Sequence, residues 1–100
     1  MKILHLTLKK KWFDMIACGD KTEEYREMKP YWQKRLKLGH NYDAVSFRNG
    51  YSANAPKILV ECKGIFIGHG VLAWGALKDP VYIIKLGAIL PPNVEVRGSL

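Results

Sequence analysis

The chain has 100 residues, of which 48% are hydrophobic, so it predicts a single domain with one modest core and excludes a disordered composition. Sixteen Lys and Arg residues against nine Asp and Glu give a net charge of +7. This excess favours a polyanionic partner, RNA or DNA, or an anionic small ligand, and a merely basic domain is an equal alternative. No apolar run is long enough for a membrane-spanning helix, and the N-terminal apolar patch is too short for a signal peptide, which predicts a cytoplasmic protein.

The first half of the chain predicts a strand followed by helices. Residues 3–8 alternate as a strand with its leucines on one face, and residues 9–17 have helical spacing that ends at Gly19. Residues 20–29 leave strand and helix open, because their composition favours a helix but their polar pattern also fits a strand. Residues 30–38 predict a helix with Pro30 at its first position.

The second half predicts strands separated by loops. Residues 43–48 alternate, Asn49-Gly50 is a turn signal, and residues 57–67 form a long apolar run with a bulge expected at Gly64. A loop over residues 69–79 carries Trp74, which we expect to plug the barrel end. Residues 81–90 predict a last strand, with a bend expected at Gly87, before a loose tail at 91–100. This order favours an antiparallel or mixed barrel over a doubly wound sheet.

One segment carries a resemblance to a known family. Residues 6–26, Leu-Thr-Leu-Lys-Lys-Lys-Trp-Phe-Asp-Met-Ile-Ala-Cys-Gly-Asp-Lys-Thr-Glu-Glu-Tyr-Arg, resemble the start of ASCH domains, small β-barrels related to the PUA RNA-binding fold. The match consists of a helix ending in Gly19, then Lys21, then the pair Glu24 and Arg26. The resemblance extends over residues 1–90. It implies an α+β, PUA-like mixed or antiparallel β-barrel of five or six strands with two or three flanking helices, and it makes residues 22–26 a strand.

The resemblance also implies a cleft lined by Lys21, Glu24 and Arg26 that takes RNA or a nucleoside-type ligand. One branch of ASCH proteins hydrolyses the acetyl amide of N4-acetylcytidine. This chain resembles that branch at Lys21, but it has Glu24 where the branch relies on a threonine, and its sequence has no clear counterpart of the branch's downstream catalytic glutamate.

The residues themselves leave several roles open. Lys21 is a candidate base in a dry cleft or an ordinary ion-pair partner, and Glu24 is a candidate acid, base or hydrogen-bond acceptor. Arg26 suits phosphate or a base edge, or forms a structural salt bridge. Glu61 interrupts an apolar strand, so it lies on the solvent face or points inward as a second acidic group. Lys21, Glu24 and Glu61 are therefore the catalytic candidates.

Further candidates for a ligand or RNA surface follow from aromatic residues interleaved with cations. Tyr31 is the preferred stacking residue, whereas the spacing of Trp32 favours a place in the core. Arg35 belongs to the same group of cations. The run Lys9, Lys10 and Lys11 is a solvated face or widens a phosphate-binding patch beside Lys21, and Arg48 is a candidate cap of the cleft.

No cofactor or metal site is predicted, because the three histidines share no ligand spacing with Cys18 and Cys62. Both cysteines are expected to be buried free thiols. We therefore expect an ASCH-like domain that binds RNA or a nucleoside-type ligand. The alternatives are a small amidohydrolase of N4-acetylcytidine type and a protein-interaction domain.

Overall fold

The computed structural model describes residues 1–91. Within these residues, five strands and two helices follow one another, with one short 3₁₀ turn at Leu72–Trp74. In chain order they are β1 (Ile3–Leu8), α1 (Lys10–Ala17), β2 (Glu23–Arg26), α2 (Pro30–Arg35), β3 (Ala44–Asn49), β4 (Lys57–Gly68) and β5 (Val81–Leu90). The predicted tail, apart from Pro91, lies outside the described residues.

The strands form one curled, mixed sheet in the order β1-β3-β4-β5-β2. Strands β1 and β3 are parallel, and the other neighbours are antiparallel. The edge strands β1 and β2 are not paired with each other, but they lie close together, since Nη2 of Arg26 in β2 donates a hydrogen bond of 3.3 Å to the carbonyl of Thr7 in β1. The molecule is therefore a small α+β domain with a five-stranded half-barrel, which confirms the fold class at this level.

The core fills the concave side of this sheet. Leu4 and Leu6 in β1 stand beside Val45 and Phe47 in β3, as the alternation in both strands predicts. Helix α1 covers them with Phe13 and Ile16, the residues of its apolar stripe. A smaller cluster, composed of Tyr25, Ala76, Val81 and Ile83, lies beside it, with the half-buried Trp74 packed against it.

The ambiguous segment is a strand over Glu23–Arg26, as the resemblance implied. The second helix is shorter than predicted and ends at Arg35, because Leu36 takes an extended backbone conformation and buries its side chain in the core. Gly64 has a φ of +134° and lies at a register irregularity between β4 and β5, so the predicted bulge is confirmed. Gly87 lies within the other irregularity, where two residues of β5, Gly87 and Ala88, oppose one of β4, Glu61.

The cysteine prediction needs one correction. Both thiols are free, but only Cys62 is buried, whereas Cys18 is exposed. Cys18 comes directly after α1, two positions past the buried Ile16, so it lies on the side of the helix opposite the apolar stripe. Over residues 1–91, none of the helices has the length and apolar character to cross a membrane.

Candidate functional site

Strand β2 and the turn before it bring the three motif residues into one ionic cluster. The Nζ of Lys21 lies 3.0 Å from Oε1 of Glu24, and Nη1 of Arg26 lies 2.9 Å from Oε2 of the same carboxylate. Only 1% of the Lys21 side chain and 4% of the Glu24 side chain are exposed, compared with 19% of Arg26. Glu24 is therefore a buried carboxylate shared by two cations, of which only Arg26 reaches the surface.

Both the backbone and the ammonium group of Lys21 have several contacts. Its backbone N–H donates to the carbonyl of Met15 at 3.0 Å, and its ammonium group donates to the carbonyl of Trp74. The ammonium also lies 4.8 Å and 4.9 Å from the ring centroids of Trp12 and Tyr25. Burial lowers the pKa of Lys21 below its usual value, and the adjacent Glu24 carboxylate offsets part of this effect. These contacts join α1, β2 and the loop around Trp74.

Tyr25 also binds the loop around Trp74, through its hydroxyl group. Its hydroxyl donates to Oε1 of Glu23 at 2.7 Å and accepts the backbone N–H of Val71 at 2.9 Å. Burial of the ring, together with the hydrogen bond to Glu23, raises the pKa of Tyr25 to about 12. The position of the loop is therefore set by one lysine and one tyrosine from the same short segment.

Arg26 joins this buried cluster to the surface. Besides its bonds to Glu24 and Thr7, its guanidinium lies 5.1 Å from the centroid of the Trp32 ring. Its Nε is buried and has no hydrogen-bond partner among the described residues. Arg26 is the member of the cluster that is placed to meet a ligand.

The first cleft beside Arg26, which we call the α1 cleft, has a volume of about 540 Å³. It lies where β1 ends and α1 begins, next to the turn after β3. The lining residues are Thr7, Leu8, Lys9, Lys10, Trp12, Arg26, Asn49, Gly50 and Tyr51. This lining carries three cations and two aromatic rings but no carboxylate.

A second cleft, the α2 cleft, lies between β1 and α2 and has a volume of about 420 Å³. Its lining residues are Lys2, Ile3, Leu4, His5, Leu6, Tyr31, Trp32, Lys34, Arg35, Lys37 and Tyr42. A smaller pocket of about 230 Å³, the connecting pocket, shares Arg26 with the α1 cleft and Trp32 with the α2 cleft. Neither Lys21 nor Glu24 belongs to the lining of these three cavities.

The structure distributes the other predicted residues over several places. Lys9 and Lys10 line the α1 cleft, and Tyr31 and Arg35 line the α2 cleft. Lys11 lies 4.7 Å from the Trp12 ring centroid but outside the lining of both clefts.

Two predicted residues lie apart from the clefts. Arg48 donates to the carbonyl of Ser52 at 2.5 Å and does not belong to either lining. Glu61 is on the exposed face of β4, where its carboxylate accepts the N–H of Ala88 at 3.4 Å. The described residues show no bond between Glu61 and the Lys21 cluster, so the open question of its direction is answered in favour of the solvent face.

Sequence reasoning missed Tyr51, which is 87% exposed at the α1 cleft. The signal was present in the Asn49-Gly50 turn, since residues that follow a turn signal tend to lie at the surface. What placed it at the cleft is the parallel register of β1 and β3, in which Leu8 pairs with Asn49.

Residues 1–91 contain no group of three His, Cys, Asp or Glu side chains that could hold a metal ion.

Comparisons with protein-family models, with curated proteins and with solved structures found no match to this chain.

Proposed function

We propose that this protein is an ASCH-like domain, with a PUA-like barrel, that binds RNA or a phosphorylated nucleoside in the α1 cleft. The observation that carries the proposal is the lining of this cleft, in which three cations and two aromatic rings surround a space without a carboxylate. Cations grip phosphates, and aromatic faces stack bases with little sequence preference. The net charge of +7 and the motif formed by Lys21, Glu24 and Arg26 point in the same direction.

Each group has a definite part in this proposal. Lys9 meets the phosphate at the start of α1, where backbone N–H groups lack intrahelical partners and no acidic residue occupies the first turn. Lys10 lies beside it but is paired with Asp14, so it contributes less. The base stacks on Tyr51, whose ring is almost fully exposed. Asn49 offers an amide to a base edge, since an amide both donates and accepts hydrogen bonds.

Lys21 and Glu24 act in this proposal by positioning Arg26. Glu24 fixes one end of the guanidinium, and Lys21 stabilises Glu24 from the buried side. A guanidinium held in one orientation loses less entropy when it binds a phosphate.

Binding is favoured over amide hydrolysis. A catalytic lysine must reach its substrate, but the Lys21 side chain is almost completely buried and its ammonium already contacts Glu24 and the Trp74 carbonyl. Glu61, the other acidic candidate, is exposed on β4. We therefore expect no deacylation when the protein is incubated with N4-acetylcytidine and followed by chromatography. Turnover that disappears in Lys21→Ala would instead establish the amidohydrolase alternative.

The proposal is tested with fluorescein-labelled U12 RNA, whose binding is followed by fluorescence anisotropy. Tyr51→Ala is the informative variant, because an exposed side chain is removed without disturbing the core. Loss of one stacked base costs about 1–3 kcal/mol, so we expect affinity to fall roughly 5- to 150-fold. Lys57→Glu is the control for charge, since Lys57 is exposed and lies outside the lining of all three cavities.

Two results would contradict the proposal. Equal binding by the wild type and Tyr51→Ala would remove the α1 cleft as the site. Absent or salt-insensitive binding would favour the protein-interaction alternative, because phosphate contacts weaken steeply with salt.

A further inference from the structure

The α2 cleft has the same chemical character as the α1 cleft, although the proposed function does not use it. Its lining contains four cations, Lys2, Lys34, Arg35 and Lys37, and no carboxylate. Among residues 1–91, none of these four cations forms an ion pair with a side-chain carboxylate. Asp43 lies next to this region, and its carboxylate accepts the backbone N–H of Lys2 at 2.7 Å.

Aromatic side chains are interleaved with these cations. The guanidinium of Arg35 lies 3.6 Å from the centroid of the Tyr31 ring, and Trp32 meets Tyr31 edge to face at 4.7 Å. Tyr31 is 55% exposed. An arginine stacked on an exposed tyrosine forms a flat, charged platform, which suits an unpaired base and its phosphate.

The two clefts are joined by the connecting pocket. Arg26 lies between the α1 cleft and this pocket, Trp32 lies between this pocket and the α2 cleft, and the two side chains are in contact. Strand β1 contributes to both clefts, with Thr7 and Leu8 in the α1 cleft and Ile3 to Leu6 in the α2 cleft. The one acidic residue in the connecting pocket, Glu27, is paired with Lys29 at 3.3 Å.

We propose that the α2 cleft is a second subsite for the same strand, so that the ligand is a single-stranded nucleic acid which runs along β1 through both clefts. This inference rests on the proposed function, because it extends the ligand from the α1 cleft. A free mononucleotide would leave the α2 cations without a partner. Known single-strand binding folds cover about 4–16 nucleotides, so a strand that spans two clefts is of ordinary length.

An acidic peptide is the competing occupant, and the aromatic platform argues against it. A peptide strand would pair with the edge of β1 next to α2. In an edge strand the backbone N–H and C=O groups of alternate residues point away from the sheet and are available to such a partner. A peptide paired in this way has no use for the exposed stack of Arg35 on Tyr31. A nucleic acid uses both the cations and the platform.

The test compares a short and a long ligand by isothermal titration calorimetry. The dinucleotide UpU fits one cleft, whereas U12 reaches both. The α2 variant is Lys34→Glu/Lys37→Glu, and the control is Lys57→Glu/Lys63→Glu, which changes the net charge equally at exposed positions outside the lining of all three cavities.

For the α2 variant we expect U12 affinity to fall roughly tenfold or more, and the slope of log K against log salt to decrease by about 1.4, or 0.7 for each lost phosphate contact. We expect its affinity for UpU to stay that of the wild type, and the control to keep its affinity for both ligands.

The possible outcomes separate this inference from the proposed function. If Tyr51→Ala weakens the binding of UpU and U12 but the α2 variant binds both like the control, the second subsite is wrong and the proposed function stands. If the wild type binds neither UpU nor U12, both proposals fail together. If the α2 variant loses binding of a twelve-residue polyglutamate peptide but keeps U12 affinity, the α2 cleft is a peptide site and the inference is overturned.

Discussion

Glu24 and Lys21 form a buried pair, but we expect their removal to have very different effects on stability. In Glu24→Gln the Lys21 ammonium remains almost fully buried but loses the carboxylate that balances its charge, since an amide oxygen and the Trp74 carbonyl accept hydrogen bonds without carrying a charge. Leaving one partner of a buried pair uncompensated typically costs about 3–5 kcal/mol. A domain of this size has a total free energy of unfolding of about 5–15 kcal/mol, so this substitution removes a large part of it.

Lys21→Met is expected to be much milder. Glu24 keeps Arg26 at 2.9 Å, so its carboxylate stays paired. The main loss is the partner of the Trp74 carbonyl, and an unsatisfied buried group costs about 1–3 kcal/mol. Removing the amine also ends its desolvation cost, which is the first cause of its lowered pKa, and this gain offsets part of the loss.

Urea unfolding at pH 7, followed by tryptophan fluorescence, measures both variants. Glu27→Gln is the matched control, because its ion pair with Lys29 is exposed and is worth about 0–1 kcal/mol. The double variant Lys21→Met/Glu24→Gln should be more stable than Glu24→Gln alone, since it no longer buries an unpaired charge. If Glu24→Gln is no more destabilising than Lys21→Met, or if the double variant is less stable than Glu24→Gln, the argument from the buried cation is refuted.

The stability of the buried pair should also depend on pH. Because the pKa of Lys21 in the folded protein lies below the usual 10.5, the unfolded chain binds more protons between these two values, and the stability contributed by this group rises with pH there. Glu24→Gln removes the interactions that raise this pKa, so its window extends to lower pH. The difference in stability between the wild type and Glu24→Gln should therefore shrink as the pH approaches 10.5.

Two further predictions concern the loop around Trp74, which Tyr25 of β2 contacts. Tyr25→Phe leaves the N–H of Val71 without its partner, and we expect a loss of about 1–3 kcal/mol in urea unfolding, with the disappearance of the phenol that ionises near pH 12 in a spectrophotometric titration. Since the pKa of Tyr25 is raised on folding, stability should fall from pH 10 to 12 in the wild type but less in this variant; an unchanged titration curve would contradict the assignment. Gly70→Ala places a methyl group against the Tyr25 ring and should cost about 1–3 kcal/mol. In Gly87→Ala the clash is with the end of the exposed Glu61, which can move away, so equal losses in the two glycine variants would refute this packing argument.

The sequence predicted the fold better than the site because periodicity reports burial within an element. Alternation in β1 and β3 identified Leu4, Leu6, Val45 and Phe47 as core residues, and the structure confirms them. Local preference did not determine β2, whose polar residues are good helix formers, and only the resemblance indicated a strand. The end of α2 was wrong because the burial of Leu36, a tertiary contact, outweighs the helical pattern that continues to Leu38.

The site depended on information that one-dimensional spacing lacks. The resemblance predicted a cleft lined by Lys21, Glu24 and Arg26, and the structure brings the three into one ionic cluster, but spacing does not say which of them is buried. Their depth is set by α1 and by the loop at Trp74, which cover Lys21 from two sides. Tyr51 reaches the α1 cleft only through the pairing of β1 with β3, whose residues lie about forty positions apart in the chain.

The burial of Lys21 is itself an argument for its role. Replacing a whole buried ion pair by apolar residues is often neutral or stabilising, so stability alone does not account for a lysine and a glutamate at these positions. What a hydrophobic residue lacks is a positive charge that balances Glu24 from inside the protein. Without that charge, Arg26 alone would neutralise the carboxylate, and its guanidinium would be less available to a phosphate. Lys21 thus leaves Arg26 with a net attraction for an anion at the junction of the α1 cleft and the connecting pocket, where the proposed nucleic acid passes.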